Sequence, residues 1–215
     1  MDVILGRERT QRSQVLKQAD VVALFAMLPD AYDKKVQATN FRYYEPRCGH
    51  GSSLSRGLHA LVSARLGDVA LAERYFRQTA AIDLADTTGG TAGGVHIAAL
   101  GGLWQAAIFG FAGLSCYEDG ITLEPHLPPA WAAMEFRVHW RGRRIHARID
   151  APAGLLSATL EHGEPLTIRS GEQAIELLPG QTRQLLWHQA VGSFAQLGSR
   201  TCDEVTPEAA RTRTG

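Results

Sequence analysis

The 215-residue chain carries 22 Lys and Arg against 22 Asp and Glu, and 45% of its residues are hydrophobic. This balance excludes a nucleic-acid surface, which needs clustered excess cations, and a disordered chain, which needs low hydrophobicity and high net charge. Cys48, Cys116 and Cys202 are odd in number, widely spaced and without a CxxC pair, so neither a disulfide framework nor a metal site is expected.

The opening MDVILGRERT lacks the basic-then-apolar order of a signal peptide, which makes the cytoplasm the expected location. Apolar spacing predicts a first helix over Arg12–Leu28. Its second half, from Val21, is apolar all round and is expected to be buried on every side. Pro29 and Asp30 end it, and Lys17 and Gln18 lie nearer its start. ATNFRYYEPRCGHG (38–51) reads as a loop. A second helix follows over Ser53–Leu66, with Ser52 or Ser53 as its cap and Gly67–Asp68 as its break. A third covers Val69–Ala85.

Residues 87–113, TTGGTAGGVHIAALGGLWQAAIFGFAG, pass from a glycine-rich loop into an apolar run. Its length approaches that of a membrane span. His96 and Gln105 interrupt it, flanking charges are missing and strands follow, so a core helix is the better reading. Gly101, Gly102, Gly110 and Gly113 each cost about 1 kcal/mol in helix propensity and fit close helix packing. The first turn offers free N–H groups and the positive end of a helix dipole, with no Asp or Glu between 87 and 113. That makes it a candidate anion seat, with His96 as a further donor.

From Cys116 the pattern turns to short alternating stretches. Strands are predicted at Ile121–Leu123, Met134–Trp140, Arg143–Asp150, Leu155–His162, Leu166–Ser170, Gln173–Leu177 and Thr182–Leu186. They read as a small antiparallel sandwich. The tail from 191 is polar. The expected domains are 1–115, 116–190 and the tail 191–215.

Four ordered stretches resemble glycoside hydrolase family 65, the maltose, trehalose and kojibiose phosphorylases: VLKQADVVALF (15–25), FRYYEPRCGHGSSLS (41–55), GGVHIAALGGLWQAAIFGFAGL (93–114) and ITLEPHLPPAW (121–131). The resemblance implies an α+β, multidomain fragment: partial (α/α)6 barrel helices followed by the β-sandwich. It implies inverting phosphorolysis of a glucosyl–glucose bond to β-glucose 1-phosphate, with inorganic phosphate as co-substrate and no cofactor. An inverting hydrolase needs a second carboxylate to activate water, whereas phosphate is already a nucleophile.

Residue by residue, Lys17 and Gln18 match the family's sugar-binding pair. Ser52, Ser53, Gly94 and His96 match its phosphate site. His50 and His59 are read as structural. The resemblance places the general acid upstream of the Lys17–Gln18 pair, in a missing N-terminal portion of the enzyme, and Glu8, Glu45 and Glu73 make poor candidates for it. A few helices leave an apolar barrel face open, which self-association could cover. A trehalase-type hydrolase and a non-catalytic carbohydrate-binding or assembly module are the alternatives.

Overall fold

The computed structural model describes Gly6, Glu8, Arg9 and residues 12–85 and 93–187. The predicted tail, the glycines at 89–90 and Cys202 lie outside the described residues. After residue 12 the described residues form the helices α1 (Asp20–Met27), α2 (Lys34–Tyr44), α3 (Ser55–Leu66), α4 (Val69–Leu84) and α5 (Ile97–Gln105). A 3-10 turn, Glu45–Arg47, follows α2, and a π-helical turn, Ala106–Phe111, extends α5. No helix among the described residues is long and apolar enough to cross a membrane.

The first predicted helix is half the expected length. Leu16 instead forms an extended bridge to the 47–49 loop: its N–H donates to Arg47 O (2.9 Å), and its carbonyl accepts from Gly49 N (2.8 Å). Long-range pairing therefore overrides the helical periodicity of residues 15–19. Nor is α1 buried all round. Val22 and Phe25 are 1% and 2% exposed, but Met27 is 77% exposed, because no described element covers that side.

Residues 38–44, read as loop, belong to α2. Asp33 caps it by accepting from Val36 N at 2.8 Å, an interaction worth about 1 kcal/mol. Gln37, Ala38 and Phe41 form its buried face. Helix α3 starts at Ser55 without a side-chain cap. Ser52 Oγ accepts from Leu54 N one turn earlier, so the serines shape the preceding loop rather than cap the helix. Gly67 ends α3 at φ 88°, and Asp68 caps α4.

Eight strands follow: β1 (Leu114–Cys116), β2 (Gly120–Leu123), β3 (Ala133–Trp140), β4 (Arg143–Asp150), β5 (Leu155–His162), β6 (Leu166–Ser170), β7 (Gln173–Leu177) and β8 (Thr182–Leu186). They form two four-stranded sheets, β1-β2-β6-β7 and β3-β4-β5-β8. The expected sandwich is present, with one correction: β2 and β6 pair in parallel, because the whole β3–β5 meander lies between them in sequence. Ile145, Ala147, Ile149 and Leu156 from one sheet share a core with Ile121, Leu123 and Ile168 from the other. Ala64, Ala72, Ile108 and Phe111 extend that core into the helices, so the helical layer is bolted to the sandwich by continuous apolar contact.

Among the described residues, an apolar stripe on α5 is uncovered. Ile97, Leu100 and Trp104 sit at i, i+3 and i+7 on α5 and are 70%, 41% and 51% exposed. A stripe of that spacing normally faces a core.

Candidate functional site

Helices α3 and α5 run in parallel. A Cβ built on Gly57 would lie 3.1 Å from the Gly102 carbonyl carbon, and one on Gly110 would lie 3.1 Å from Leu61 Cα. Progress along α3 from 57 to 61 thus matches progress along the second segment from 102 to 110. The N-terminal ends of both helices consequently open at the same end of the pair. Ser52–Ser53 immediately precede one of them and Gly94–His96 the other.

The bridge at Leu16 delivers a third piece. It lays Lys17 against the CGHGSS loop, where a Cβ on Gly51 would meet Lys17 Cγ at 3.3 Å. A side chain at position 51 would crowd the lysine stem. Lys17 and its neighbour Gln18 are both exposed, in irregular chain rather than on the helix expected for them.

The loop is buttressed from below. His50 adopts φ +47°, a left-handed conformation uncommon outside glycine. Its ring meets Ser55 Oγ through Nδ1 (2.9 Å) and Tyr75 Oη through Nε2 (3.1 Å). Tyr75 Oη in turn donates to Glu45 Oε1 (2.6 Å). Ser55 Oγ reaches Ser52 O at 3.0 Å, so the turn is tied to the buried ring cluster. Burial, with the nearby His59 and Arg56, lowers His50 to about 4 and keeps it neutral. Burial and the Glu45 contact push the Tyr75 phenol up. Glu45 is thus engaged in structure.

His96 differs from its sequence reading. Its backbone N–H donates to Asp83 Oδ2 (2.9 Å), and its Nδ1 lies 2.7 Å from Asp83 Oδ1. The N–H expected to face an anion is therefore already committed. The acid-free stretch also receives a carboxylate from the last turn of α4. A carboxylate only accepts hydrogen bonds, so Nδ1 carries a proton and Nε2 remains uncommitted to the pair. Asp83 is 9% exposed at its side chain and His96 37%. Gly94 sits at φ +111° with open space around it. Backbone conformation, more than crowding, requires glycine there.

Lys17 thus lies against the loop that carries Ser52 and Ser53, and Gly94 and His96 precede the helix that packs on α3 through Gly102. Gln18 follows Lys17 with no contact that assigns it a role. Asp83 was missed because an Asp in the last turn of a helix reads as surface. Nothing local links it to a histidine 13 positions later.

The profile for the glycosyl hydrolase family 65 central catalytic domain matches residues 4–105, and that for the family 65 C-terminal domain matches residues 114–177. A 1,2-alpha-glucosylglycerol phosphorylase of Bacillus selenitireducens is 40% identical over 172 residues, covering 77% of this chain and 23% of that protein. An alpha,alpha-trehalose phosphorylase of Geobacillus stearothermophilus is 39% identical over 158 residues, covering 74% of this chain and 20% of that protein. A kojibiose phosphorylase of Halothermothrix orenii is 39% identical, covering 64% and 18%. A solved structure from the human microbiome, named for kojibiose phosphorylase, superposes with a TM-score of 0.75 at 24% identity. It covers 83% of this chain and 24% of that one, a likeness of fold. The chain therefore spans about a quarter of the length of these relatives or less.

Proposed function

From the premise that the chain belongs to glycosyl hydrolase family 65, we propose that it is the phosphate-side, C-terminal portion of an inverting disaccharide phosphorylase. The observation that carries this reading is the parallel packing of α3 and α5 through Gly57 and Gly102. Two positive helix ends then face the same space. Ser52 and Ser53 bring hydroxyl donors to it, and Lys17 brings a full positive charge.

In this reading the disaccharide lies against Lys17 and Gln18. Phosphate sits between the Ser52–Ser53 loop and the start of α5. His96, its Nδ1 held by Asp83, presents Nε2 to the phosphate. Phosphate attacks the anomeric carbon from the face opposite the leaving sugar. The leaving oxygen takes its proton from a general acid outside this chain, in the portion that the longer relatives have. General acid catalysis contributes typically about 10²- to 10⁴-fold, so the chain by itself is expected to be inactive. The partial helical set fits part of an (α/α)6 barrel, with the exposed stripe on α5 facing the missing helices.

Hydrolysis by a trehalase-type relative has less support. The carboxylate described beside His96, Asp83, has both oxygens occupied by His96 and little exposure. It is poorly placed to activate water. Assay of the intact protein on trehalose, kojibiose and maltose, with and without phosphate, tests the proposal. Phosphate-dependent release of β-glucose 1-phosphate is expected. Equal rates of release of two free sugars without phosphate would defeat it.

A further inference from the structure

Cys48, His50 and His59 converge beneath the Ser52–Ser53 loop. One donor atom from each lies within 4.8 Å of the other two. Cys48 and His59 are buried, at 8% and 0% exposure. The spacing, Cys-x-His followed nine positions later by a helical His, has none of the CxxC signature that sequence reading looks for. The fold alone assembles the set.

His59 supplies the decisive detail. Its Nδ1 lies 2.7 Å from Ser55 O. A carbonyl can only accept, so Nδ1 holds the proton and Nε2 the lone pair. That Nε2 is buried with no hydrogen-bond partner, alone in this respect among the described residues. A buried acceptor left unpaired is costly and calls for an explanation.

A void of about 10 Å³ touches both Cys48 and His59, though not His50, with Leu16, Gln18, Asp20, Val22 and Tyr44 also in its wall. That is room for about one water, but a buried water wants two to four polar partners. The imidazole and the thiol supply one nitrogen and one sulfur donor to its wall. They serve a borderline-soft cation well. An Nδ1–H held by a backbone carbonyl is also the arrangement that aims a metal-binding imidazole.

We propose that Cys48 Sγ, His59 Nε2 and a ring nitrogen of His50 form a site for one zinc-class divalent ion, which pins the CGHGSS loop to α3. On binding, the Cys48 thiol loses its proton to solvent and the thiolate takes the metal. His50 gives up one of its two hydrogen bonds, to Ser55 or Tyr75, in exchange for a metal bond. The rings close inward by side-chain rotation. The site needs no phosphate and stands apart from the phosphorylase reading.

The test uses the 215-residue chain stripped with a chelator. Zn²⁺ is added, excess is removed by gel filtration, and retained metal is measured by mass spectrometry. One ion per chain is expected for the unsubstituted protein, and loss of it in C48S. Co²⁺ added to C116S/C202S, where Cys48 is the sole cysteine, is expected to give a sulfur-to-cobalt charge-transfer band. That variant leaves the cluster intact, so the result does not depend on C48S folding. Absence of the band overturns the proposal. So does equal zinc retention in folded C48S, which places the metal elsewhere as an adventitious ion only.

Discussion

Asp83 holds His96 twice, through the backbone nitrogen at 2.9 Å and through Nδ1 at 2.7 Å, across 13 positions of sequence. The pair fixes which ring nitrogen is left for a ligand. In the intact enzyme, Asp83→Asn replaces a charged acceptor by a neutral one. A hydrogen bond to a charged group contributes about 1.5–3 kcal/mol, so phosphate kcat/KM is expected to fall on the order of 10- to 100-fold, with disaccharide KM little changed. His96→Ala should lower phosphate use at least as far, and Ser53→Ala less. Steady-state kinetics with each substrate varied in turn check this. An unchanged phosphate KM and kcat in His96→Ala would remove His96 from the site.

Two glycine positions on α3 and α5 should behave oppositely. Gly57→Ala drives a methyl to 3.1 Å from the backbone of Gly102, and such overpacking costs typically about 1–3 kcal/mol. Gly101→Ala meets nothing within 4 Å and is expected to gain up to about 1 kcal/mol in helix propensity. Urea unfolding of the two variants beside the unsubstituted chain measures the difference. Equal midpoints would refute the close crossing of α3 and α5.

Stability should fall on the acid side of neutrality, in part through His126. Burial lowers its pKa below 6.5, Lys34 lowers it further and Glu124 partly offsets them. Above 6.5 the ring is neutral folded and unfolded, so it adds no pH dependence. Below 6.5 the unfolded chain takes up a proton that the folded chain resists, and stability is lost as pH falls toward the folded pKa. His126→Gln should make the decline from pH 7.5 to 5 shallower without abolishing it, since His50 and His59 are lowered as well. Urea midpoints across that range report the slope. An identical slope in the variant would exclude His126 as a contributor.

The α5 stripe predicts self-association. Ile97 and Trp104 are 70% and 51% exposed on one face, and contiguous apolar surface of this kind marks an interface. Sedimentation of the chain is expected to show species larger than monomer. Ile97→Glu with Trp104→Gln should shift it to monomer. A monomeric unsubstituted chain at high concentration would contradict the expectation.

Much of the fold was legible locally. Strands β4 through β8 follow the alternation of the sequence, since period-two burial such as Ile145, Ala147 and Ile149 leaves one register available. The α3–α4 break was legible in Gly67 and Asp68, one a left-handed stop and the other a cap. The α2 helix was not, because FRYY lacks an apolar period and the cap at Asp33 lies before the stretch that looked like loop. Residues 15–19 looked helical and are irregular, because Leu16 hydrogen-bonds to Arg47 and Gly49 instead.

The candidate site divides in the same way. The sequence by itself determined the residue types: glycines where backbone must come close, serines ahead of one helix, a histidine ahead of another, and a family pattern joining them. Tertiary structure alone decided their partners. It set α3 and α5 in parallel through glycine contact, carried Asp83 to His96, and closed Cys48, His50 and His59 around a buried nitrogen. The physical reason is that local order depends on neighbours within a turn or a strand, whereas charge pairing and donor clustering depend on distances set only when separate segments pack.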